Sequence, residues 1–264
     1  MKSEIQQEKP QIEMYNELLL DIGSTLMVAG AHCGRIDRNI KRIADVLEVD
    51  IETFYSFNGI ILTTKMRNNP SETATHHKRL PSHGVHFGIL NGISLLSWQA
   101  VSENFNYNQI TKEFNKIKKL SHHKRLQILL GVGVACASLC ILAKGDVVDA
   151  AFAFVGSILG LITRQEISKR NFNVMIAIVG GAFVTSFIAS INVYYGIGAL
   201  PEKALATSVL YLVPGVQLVN AVIDLIEGYV STAIARGFYS GFLLLCIALG
   251  MAISILIFGI NNFY

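Results

Sequence analysis

Apolar residues fill the second half of the chain in five long segments, which lie at about 126–143, 147–163, 174–197, 204–226 and 238–260. A helix needs roughly 20 predominantly apolar residues, with a lower limit of about 17, to cross the hydrocarbon core of a bilayer. The second segment, with about 17 residues, stands at that limit. The pattern predicts five transmembrane helices and therefore an integral membrane protein that is mainly α.

The first 122 residues instead mix polar and apolar positions with the periods of a water-soluble domain. Apolar residues recur every four positions between Gln11 and Val28, which predicts an amphipathic helix. The same reasoning predicts helices at about 35–48, 90–103 and 108–120, and β-branched and aromatic residues predict strands at Thr53–Lys65 and Thr75–Phe87.

These elements predict three regions along the chain. We expect a disordered tail over residues 1–10, a small cytoplasmic α/β domain over residues 11–122, and a five-helix transmembrane domain over residues 123–264. The stretch Met1–Glu17 is polar and charged, so we expect no signal peptide.

The distribution of charge predicts the orientation in the membrane. Residues 1–125 contain 16 of the 22 Lys/Arg and 13 of the 19 Asp/Glu, which leaves 6 of each for residues 126–264. Nine Lys/Arg flank the apolar segments on the side of the N-terminal domain and two flank them on the other side. Since positive residues stay in the cytoplasm, we predict a multi-pass protein of the bacterial inner membrane with a cytoplasmic N-terminus and an extracytoplasmic C-terminus. Because the basic residues gather beside the apolar segments, the net charge of +3 does not indicate nucleic-acid binding.

A stripe of polar residues interrupts the fourth apolar segment. Its members, Gln217, Asn220, Asp224 and Glu227, are spaced 3, 4 and 3 apart and would share one helix face, and Pro214 and Gly215 stand just before them. A carboxylate near the bilayer centre costs roughly 2.5–3.5 kcal/mol on insertion scales, so it is usually functional. We interpret the six residues as a substrate or ion pathway. The alternative is a packing kink at Pro214-Gly215 followed by acids that mark a helix end, above all Glu227.

The remaining candidate residues give weaker evidence for a functional site. Histidines stand in pairs at His76-His77, His83 with His86, and His122-His123, but neighbours on a strand point to opposite faces and no further ligand lies at metal-binding spacing. We assign no metal and no cofactor. The sequence contains no phosphate loop, nucleophile elbow or dinucleotide fingerprint, which argues against an enzyme.

The remaining ionisable residues of the apolar half are interpreted structurally. The four cysteines have neither metal nor disulfide spacing and are expected to be free thiols. We expect Asp146 and Asp149 to be solvated loop acids rather than part of a substrate path. Arg164 and Arg236 are interpreted as topology anchors rather than as ligands for an anion.

Two stretches resemble the signatures of the threonine/serine exporter family. The first is Leu212–Gly228, followed by Ala235-Arg236, and the second is Ala29–Ile40, in which Asp37 stands where a Glu is expected. Ile61–Thr64 and Arg79–His86 are also similar to the cytoplasmic domain of that family. The resemblance covers residues 12–264.

The resemblance has implications for partner and substrate. Fused members carry a second membrane block after the first five spans, whereas this sequence stops at Tyr264. It therefore resembles the larger subunit of the split form, which pairs with a small membrane subunit. Split members are associated with export of dicarboxylates such as succinate, and fused members with threonine and serine, so both kinds of substrate remain possible. A homo-oligomer is possible as well.

Three classes of function remain in order of preference. The first is a secondary exporter subunit in the lipid bilayer, which moves a small-molecule substrate with Asp224 as a proton or cation site. The second is a membrane-anchored sensor or scaffold that acts through its cytoplasmic domain, and the third is an intramembrane enzyme. A sensor does not explain a polar stripe inside a span, and an enzyme lacks a visible nucleophile–base pair.

Overall fold

A computed structural model describes residues 10–80, 84–121 and 124–260 of the chain. Contacts between Cα atoms divide the chain into two compact units. The first unit contains residues 1–122 and 216–237, and the second contains residues 123–215 and 238–264. The predicted boundary at residue 122 separates a cytoplasmic from a transmembrane domain. It concerns where the chain lies relative to the membrane, and it stays a prediction. Most of the expected tail, residues 1–9, lies outside the described residues.

The first unit combines helices with a small antiparallel sheet. In chain order its elements are α1 (Gln11–Val28), α2 (Cys33–Val46), β1 (Val49–Ser56), β2 (Gly59–Met66), β3 (Thr73–Arg79), α3 (Phe87–Ser102) and α4 (Tyr107–Lys118). Most of α9 (Gly215–Ile226) and the beginning of α10 (Val230–Phe258) belong to it as well. The sheet has the order β1-β2-β3, and both strand pairs are antiparallel. The predicted helices are confirmed to within a few residues.

The core of the first unit forms where α1 and α2 pack on one face of the sheet. Alternation along β2 buries Ile60, Leu62 and Thr64 while Ile61 stays exposed, as the two-residue period of a strand requires. The fully buried Asn16 of α1 donates to the carbonyls of Leu62 and Ala74, at 2.9 and 3.0 Å. Because a buried amide needs partners, these bonds fix the rotation of α1 over the sheet.

Two strand predictions were wrong in extent. Residues 53–65 form the two strands of a hairpin that turns at Phe57-Asn58, rather than one strand. The Asn58-Gly59 pair is a hairpin signal that the interpretation by composition overlooked. The second predicted strand ends early, since β3 stops at Arg79 and Phe87 already begins a helix. His86 caps that helix, and its neighbour in the histidine argument, His83, lies outside the described residues, as do His122 and His123.

The second unit is helical within its described residues. It contains α5 (Arg125–Leu142), α6 (Val147–Lys169), α7 (Val174–Tyr195), α8 (Pro201–Ser208), a 3₁₀ turn at Leu210–Leu212 and the C-terminal part of α10. Four helices, α5, α6, α7 and α10, are long and apolar enough to span a membrane. Pro201–Leu212 with Gly215–Ile226 makes a fifth if this broken pair is a single span. A mainly helical protein with four to five candidate spans is thus confirmed, and the count of five stays a prediction.

Glycines allow the helices of the second unit to approach closely. A Cβ on Gly160 of α6 would lie 1.8 Å from Oγ1 of Thr185 and 2.7 Å from the carbonyl oxygen of Gly181 on α7. A Cβ on Gly250 of α10 would lie 2.6 Å from the carbonyl oxygen of Val179. Close backbone contact supplies the packing that holds helices together without a hydrophobic drive.

The expectation that Asp149 is a solvated loop acid was wrong. Asp149 is fully buried, and its carboxylate accepts hydrogen bonds from Asn192 Nδ2 at 2.8 Å and from the backbone nitrogen of Leu200 at 2.9 Å. It also accepts from the backbone nitrogen of Asp146 in a capping box that begins α6. Several donors thus compensate the buried charge, which gives Asp149 a structural role within this unit.

Replacing Gly160 by alanine should destabilise the second unit. The new methyl group collides with Thr185 and the α7 backbone, and overpacking of this kind costs about 1–3 kcal/mol. We expect a lower melting temperature of the purified protein in detergent. Gly131→Ala on α5 is the matched control, because its Cβ meets no described heavy atom within 4 Å. Equal melting temperatures for the two variants would contradict the close approach at Gly160.

Candidate functional site

Three of the predicted stripe residues come together in the first unit, on one face of α9. Asn220 and Asp224 are buried, and Glu227 follows the last turn of the helix. All three bind residues of the turn between α1 and α2 or the first turns of α2. The two stretches that resemble family signatures are therefore parts of one site.

Asp224 lies at the centre of this site and is completely buried. Its Oδ1 accepts a hydrogen bond of 2.6 Å from the backbone nitrogen of Cys33, the first residue of α2. The free amides at a helix N-terminus carry partial positive charge, so they stabilise a carboxylate there. The other oxygen, Oδ2, lies 3.1 Å from Nη1 of Arg236. A helix terminus and a guanidinium together compensate the charge of this carboxylate.

The ion pair between Asp224 and Arg236 has an imperfect geometry. Oδ2 of Asp224 is within ion-pair distance, yet among the described residues it has no hydrogen bond of acceptable angle. Arg236, of which only 4% is exposed, also donates through Nη2 to the carbonyl oxygen of Ala31 at 3.1 Å. Breaking a buried pair costs about 3–5 kcal/mol because one charge stays behind without compensation.

The backbone of the α1–α2 turn supplies the acceptors for this site. Gly30 has φ of +96°, a conformation that residues with a Cβ rarely adopt. Its carbonyl oxygen accepts from Asn220 Nδ2 at 2.8 Å, and the next carbonyl, of Ala31, accepts from Arg236. The glycine therefore permits a turn that presents two consecutive carbonyls to α9 and α10.

Glu227 forms a second, more exposed cluster beside Asp224. Its carboxylate lies 3.0 Å from Nη1 of Arg38 and 3.1 Å from Nδ1 of His32. Partial burial raises the pKa of Glu227, but the hydrogen bond from Arg38 and the charge of His32 outweigh it, so that the pKa is lowered overall. Glu227 therefore stays ionised at neutral pH.

His32 has two roles that exclude each other. Its Nδ1 lies 3.1 Å from Oε2 of Glu227 and 3.3 Å from the backbone nitrogen of Arg35, for which it caps α2. A protonated Nδ1 donates to Glu227 and cannot accept from Arg35, whereas an unprotonated Nδ1 does the reverse. Whether Nδ1 carries a proton thus decides whether His32 binds the carboxylate or caps the helix.

The neighbouring thiol and phenol stay neutral. Burial, with the charge of Asp224 as the next cause, raises the pKa of Cys33 to about 12. Burial also raises the pKa of Tyr229 to about 12. Neither group is ionised at neutral pH, so Cys33 is not an activated nucleophile.

A small cavity of about 50 Å³ adjoins the cluster within the first unit. It is lined by Gly30, Gln217, Asn220 and Arg236, together with apolar side chains, and the exposed residues Gly84 and Val85 lie at its edge. The polar lining combines one guanidinium with two side-chain amides. Such a lining suits an oxygen-rich anionic group.

The other two predicted site residues, Pro214 and Gly215, belong to the second unit. They stand between the 3₁₀ turn and α9, and α9 begins at Gly215, directly after the proline. Neither lines the cavity. Their part in a pathway stays a prediction.

Ligand atoms of His32, Asp224 and Glu227 lie within 4.8 Å of one another, a spacing that a metal ion can use. Arg38 and Arg236 already bind the two carboxylates. Since two guanidinium groups would repel a cation at this place, we assign no metal site to these residues.

The sequence analysis missed Arg236, His32 and Arg38 as partners of the stripe. Arg236 was interpreted as a topology anchor, but it is buried against Asp224. A signal was present, because Arg236 is the only charged side chain in the sequence after Glu227. A lone arginine that follows a buried acid by twelve residues in an apolar region needs a counter-charge nearby.

Replacing Gly34 by alanine should uncouple Glu227 from its partners. A Cβ on Gly34 would lie 1.9 Å from Oε2 of Glu227, so the carboxylate must swing away from His32 and Arg38. We expect Glu227→Gln to lower the melting temperature in the parental protein and to have little further effect in the Gly34→Ala background.

Gly23→Ala is the control for this double-mutant comparison. It is also a glycine inside a helix of the first unit, but its Cβ would make ordinary contacts, the nearest at 3.5 Å. The effect of Glu227→Gln should persist in the Gly23→Ala background. An equal effect of Glu227→Gln in all three backgrounds would contradict the contact between Gly34 and Glu227.

The contribution of Glu227 to stability should depend on acid pH. A carboxyl whose pKa is lowered on folding stabilises the protein above its ordinary value of 4.5, and it loses this contribution as the pH falls through the lowered pKa. The difference in melting temperature between the parental protein and Glu227→Gln should therefore be constant at neutral pH and shrink between about pH 5 and about pH 3. A difference that grows on acidification would have the wrong sign.

Comparison with known proteins gives a consistent result. Residues 17–258 match the protein family described as "Putative threonine/serine exporter". The chain is 26% identical over 260 residues to a protein of Klebsiella aerogenes named "Probable succinate transporter subunit YjjP", with 98% of this chain and 99% of that protein covered. It is 28% identical over 248 residues to the protein of the same name from Escherichia coli K12, with coverages of 93% and 95%.

No solved structure matches the chain. The family match extends over both compact units, and it includes every residue of the cluster around Asp224. The chain therefore belongs to the threonine/serine exporter family, and it is a transporter subunit.

Proposed function

We propose that this chain is the larger subunit of a secondary exporter that moves a small carboxylate-bearing metabolite out of the cell. The family is named for threonine and serine, and two relatives are named for succinate. A carboxylate is the group that these substrates share. The orientation proposed for it has the N-terminus in the cytoplasm, which the excess of Lys/Arg on that side of the apolar segments supports.

The observation that carries the proposal is the buried pair of Asp224 and Arg236. Both residues are at least 95% buried, and both stand in helices that are candidates for membrane spans. Ionisable residues in spanning helices are rare because they cost several kcal/mol, and in transporters they mark substrate or proton paths. Asp224 is proposed to exchange a proton as the site alternates between the two sides of the membrane.

The proposed pathway is formed by Pro214, Gly215, Gln217, Asn220, Asp224 and Glu227. α9 begins at Gly215, directly after the break at Pro214, and the positive end of its helix dipole at this place suits a substrate carboxylate. Gln217 and Asn220 add side-chain amides from the first two turns of α9, and both line the cavity.

A second candidate function is a membrane-anchored sensor or scaffold that acts through the N-terminal domain. One observation favours it: Asn220, Asp224 and Glu227 all bind residues 30–38 of the first unit. The stripe would then attach α9 to this turn without any role in transport. The two functions make different predictions for an isosteric change at Asp224.

Asp224→Asn should abolish efflux that is driven by a gradient, while substrate binding is retained. The amide keeps an acceptor for the backbone nitrogen of Cys33, but it can neither titrate nor balance the charge of Arg236. Because the loss of a buried ion pair lowers stability, efflux of radiolabelled succinate and threonine must be normalised to the amount of folded protein.

Asp149→Asn is the matched control, since Asp149 is an equally buried carboxylate of the second unit with structural hydrogen bonds. We expect it to reduce the amount of folded protein and to leave transport per folded molecule unchanged. An Asp224→Asn variant that exports at the parental rate, with an unchanged pH dependence, would remove Asp224 from the mechanism and favour the scaffold.

Export should require a small membrane subunit. The two relatives are named as subunits, which implies a partner. We expect this chain alone in liposomes to give no saturable transport of succinate, threonine or serine. The chain co-purified with a small membrane subunit should give it. Full saturable transport by the chain alone would contradict the two-subunit proposal.

A further inference from the structure

We propose that Arg236 is the residue that binds the substrate carboxylate, and that it leaves Asp224 to do so when Asp224 takes up a proton. The inference rests on the proposed function and makes it more specific. It assigns the counter-charge of the substrate, the place of binding, and the number of protons that accompany it.

Arg236 contacts both Asp224 and the cavity. Its Nη1 lies 3.1 Å from Oδ2 of Asp224, and the same side chain lines the cavity of about 50 Å³, of which Asp224 is not a lining residue. A small displacement of the guanidinium therefore exchanges one partner for the other. The bond from Nη2 to Ala31 keeps the side chain in place, and the five N–H donors of a guanidinium leave enough capacity to bind a carboxylate with two bonds.

The cavity has the size and lining of a carboxylate subsite. Since one water needs roughly 10–15 Å³ of such volume, the cavity has room for about three waters or for one carboxylate group. Asn220 and Gln217 supply amides beside the guanidinium, and Gly30 keeps the wall free of a side chain. Gly84 and Val85 also line the cavity and are exposed, and the rest of the substrate is proposed to lie beside them.

The geometry of the ion pair favours this exchange. Oδ2 of Asp224 has no hydrogen bond of acceptable angle among the described residues, so Arg236 gives up an attraction of charges but not a well-formed bond. A proton added to Oδ2 neutralises the carboxyl group, and the O–H bond formed there removes the counter-charge of Arg236. The substrate carboxylate then supplies the missing negative charge, so one proton enters for each carboxylate bound.

Other ionisable groups face Asp224, and their contributions to the pH dependence of binding must be distinguished from that of Asp224. His32 and Cys33 face it from the start of α2, Glu227 from the end of its own helix, Tyr229 from the turn that follows, and Arg236 from α10. Cys33 and Tyr229 keep their protons at neutral pH, and Glu227 stays ionised, as described above. A variant of His32 is therefore needed to distinguish its contribution from that of Asp224.

The proton count has a consequence for the energetics of export. A carboxylate that binds together with a proton also leaves with it, so the pair crosses the membrane as one acid equivalent. Export coupled in this way draws on the outward gradient of the acid itself. Acidification of the binding side should increase the affinity for the substrate.

The test is a binding measurement on the full chain co-purified with its small subunit, with radiolabelled succinate and threonine as probes over a range of pH. For the parental complex, we expect affinity to rise about tenfold per unit of falling pH on the alkaline side of the transition, as uptake of one proton requires. Asp224→Asn should bind with high affinity at every pH, because its Arg236 has no competing anion. His32→Gln should keep the parental pH dependence.

The variants of Arg236 complete the test. Arg236→Gln leaves Asp224 without its counter-charge, so a loss of binding in this variant would also reflect its lower stability. The decisive variant is therefore Asp224→Asn with Arg236→Gln, from which both charges are absent. We expect this double variant to fold and to bind at least tenfold more weakly than Asp224→Asn alone. Arg38→Gln is the control, because Arg38 pairs with Glu227 and does not line the cavity.

Each outcome is informative. Parental affinity in the double variant would overturn the assignment of Arg236, and a pH dependence that persists in Asp224→Asn or disappears in His32→Gln would overturn the assignment of the proton. If the parental complex still binds and exports the probe saturably in either case, the proposed function stays intact. The absence of saturable binding of either probe to the parental complex at any pH would contradict the proposed function as well.

Discussion

A buried carboxylate needs compensation from every side, and Asp224 imposes this constraint on the first unit. Two parts of the chain meet its requirement. Residues 30–33 supply the first amide of α2 and the turn that holds the guanidinium, and α10 supplies the guanidinium of Arg236. None of these groups is satisfied without the others, since an unpaired buried charge costs several kcal/mol. The conformation of the turn and the start of α2 thus depend on the acid of α9.

The same arrangement gives the polar stripe of α9 a physical explanation that does not depend on function. Asn220 and Glu227 extend the contact in both directions from Asp224, one to a backbone carbonyl and the other to the side chains of Arg38 and His32. A site built for stability alone would nevertheless be expected to satisfy both oxygens of the acid. The poorly bonded oxygen and the adjoining cavity are the features that packing does not explain.

The sequence predicted whatever depends on local periodicity. It located α1 from the period of its apolar residues, and it grouped Asn220, Asp224 and Glu227 on one face from their spacing. The hairpin at Phe57-Asn58 was also within reach, because Asn58-Gly59 is a local signal.

Long-range partners could not be predicted in this way. Asn220 and Gly30 are separated by 190 residues in sequence, and Asp224 and Cys33 by 191. Nothing in the spacing of α9 indicates that its polar face binds a helix terminus rather than water or substrate. Asp149 shows the same limit, because its burial depends on donors from a distant helix and loop.

The central claim is that Asp224 and Arg236 are one energetic unit, and a double-mutant cycle on the stability of the purified protein measures it directly. Each single change, Asp224→Asn or Arg236→Gln, leaves a buried group without its partner and should lower the free energy of unfolding by about 3 kcal/mol or more. The double variant should be destabilised by at least about 1 kcal/mol less than the sum of the singles, whereas Asp224→Asn and Arg38→Gln should add. Additive effects of the changes at Asp224 and Arg236 would contradict the account.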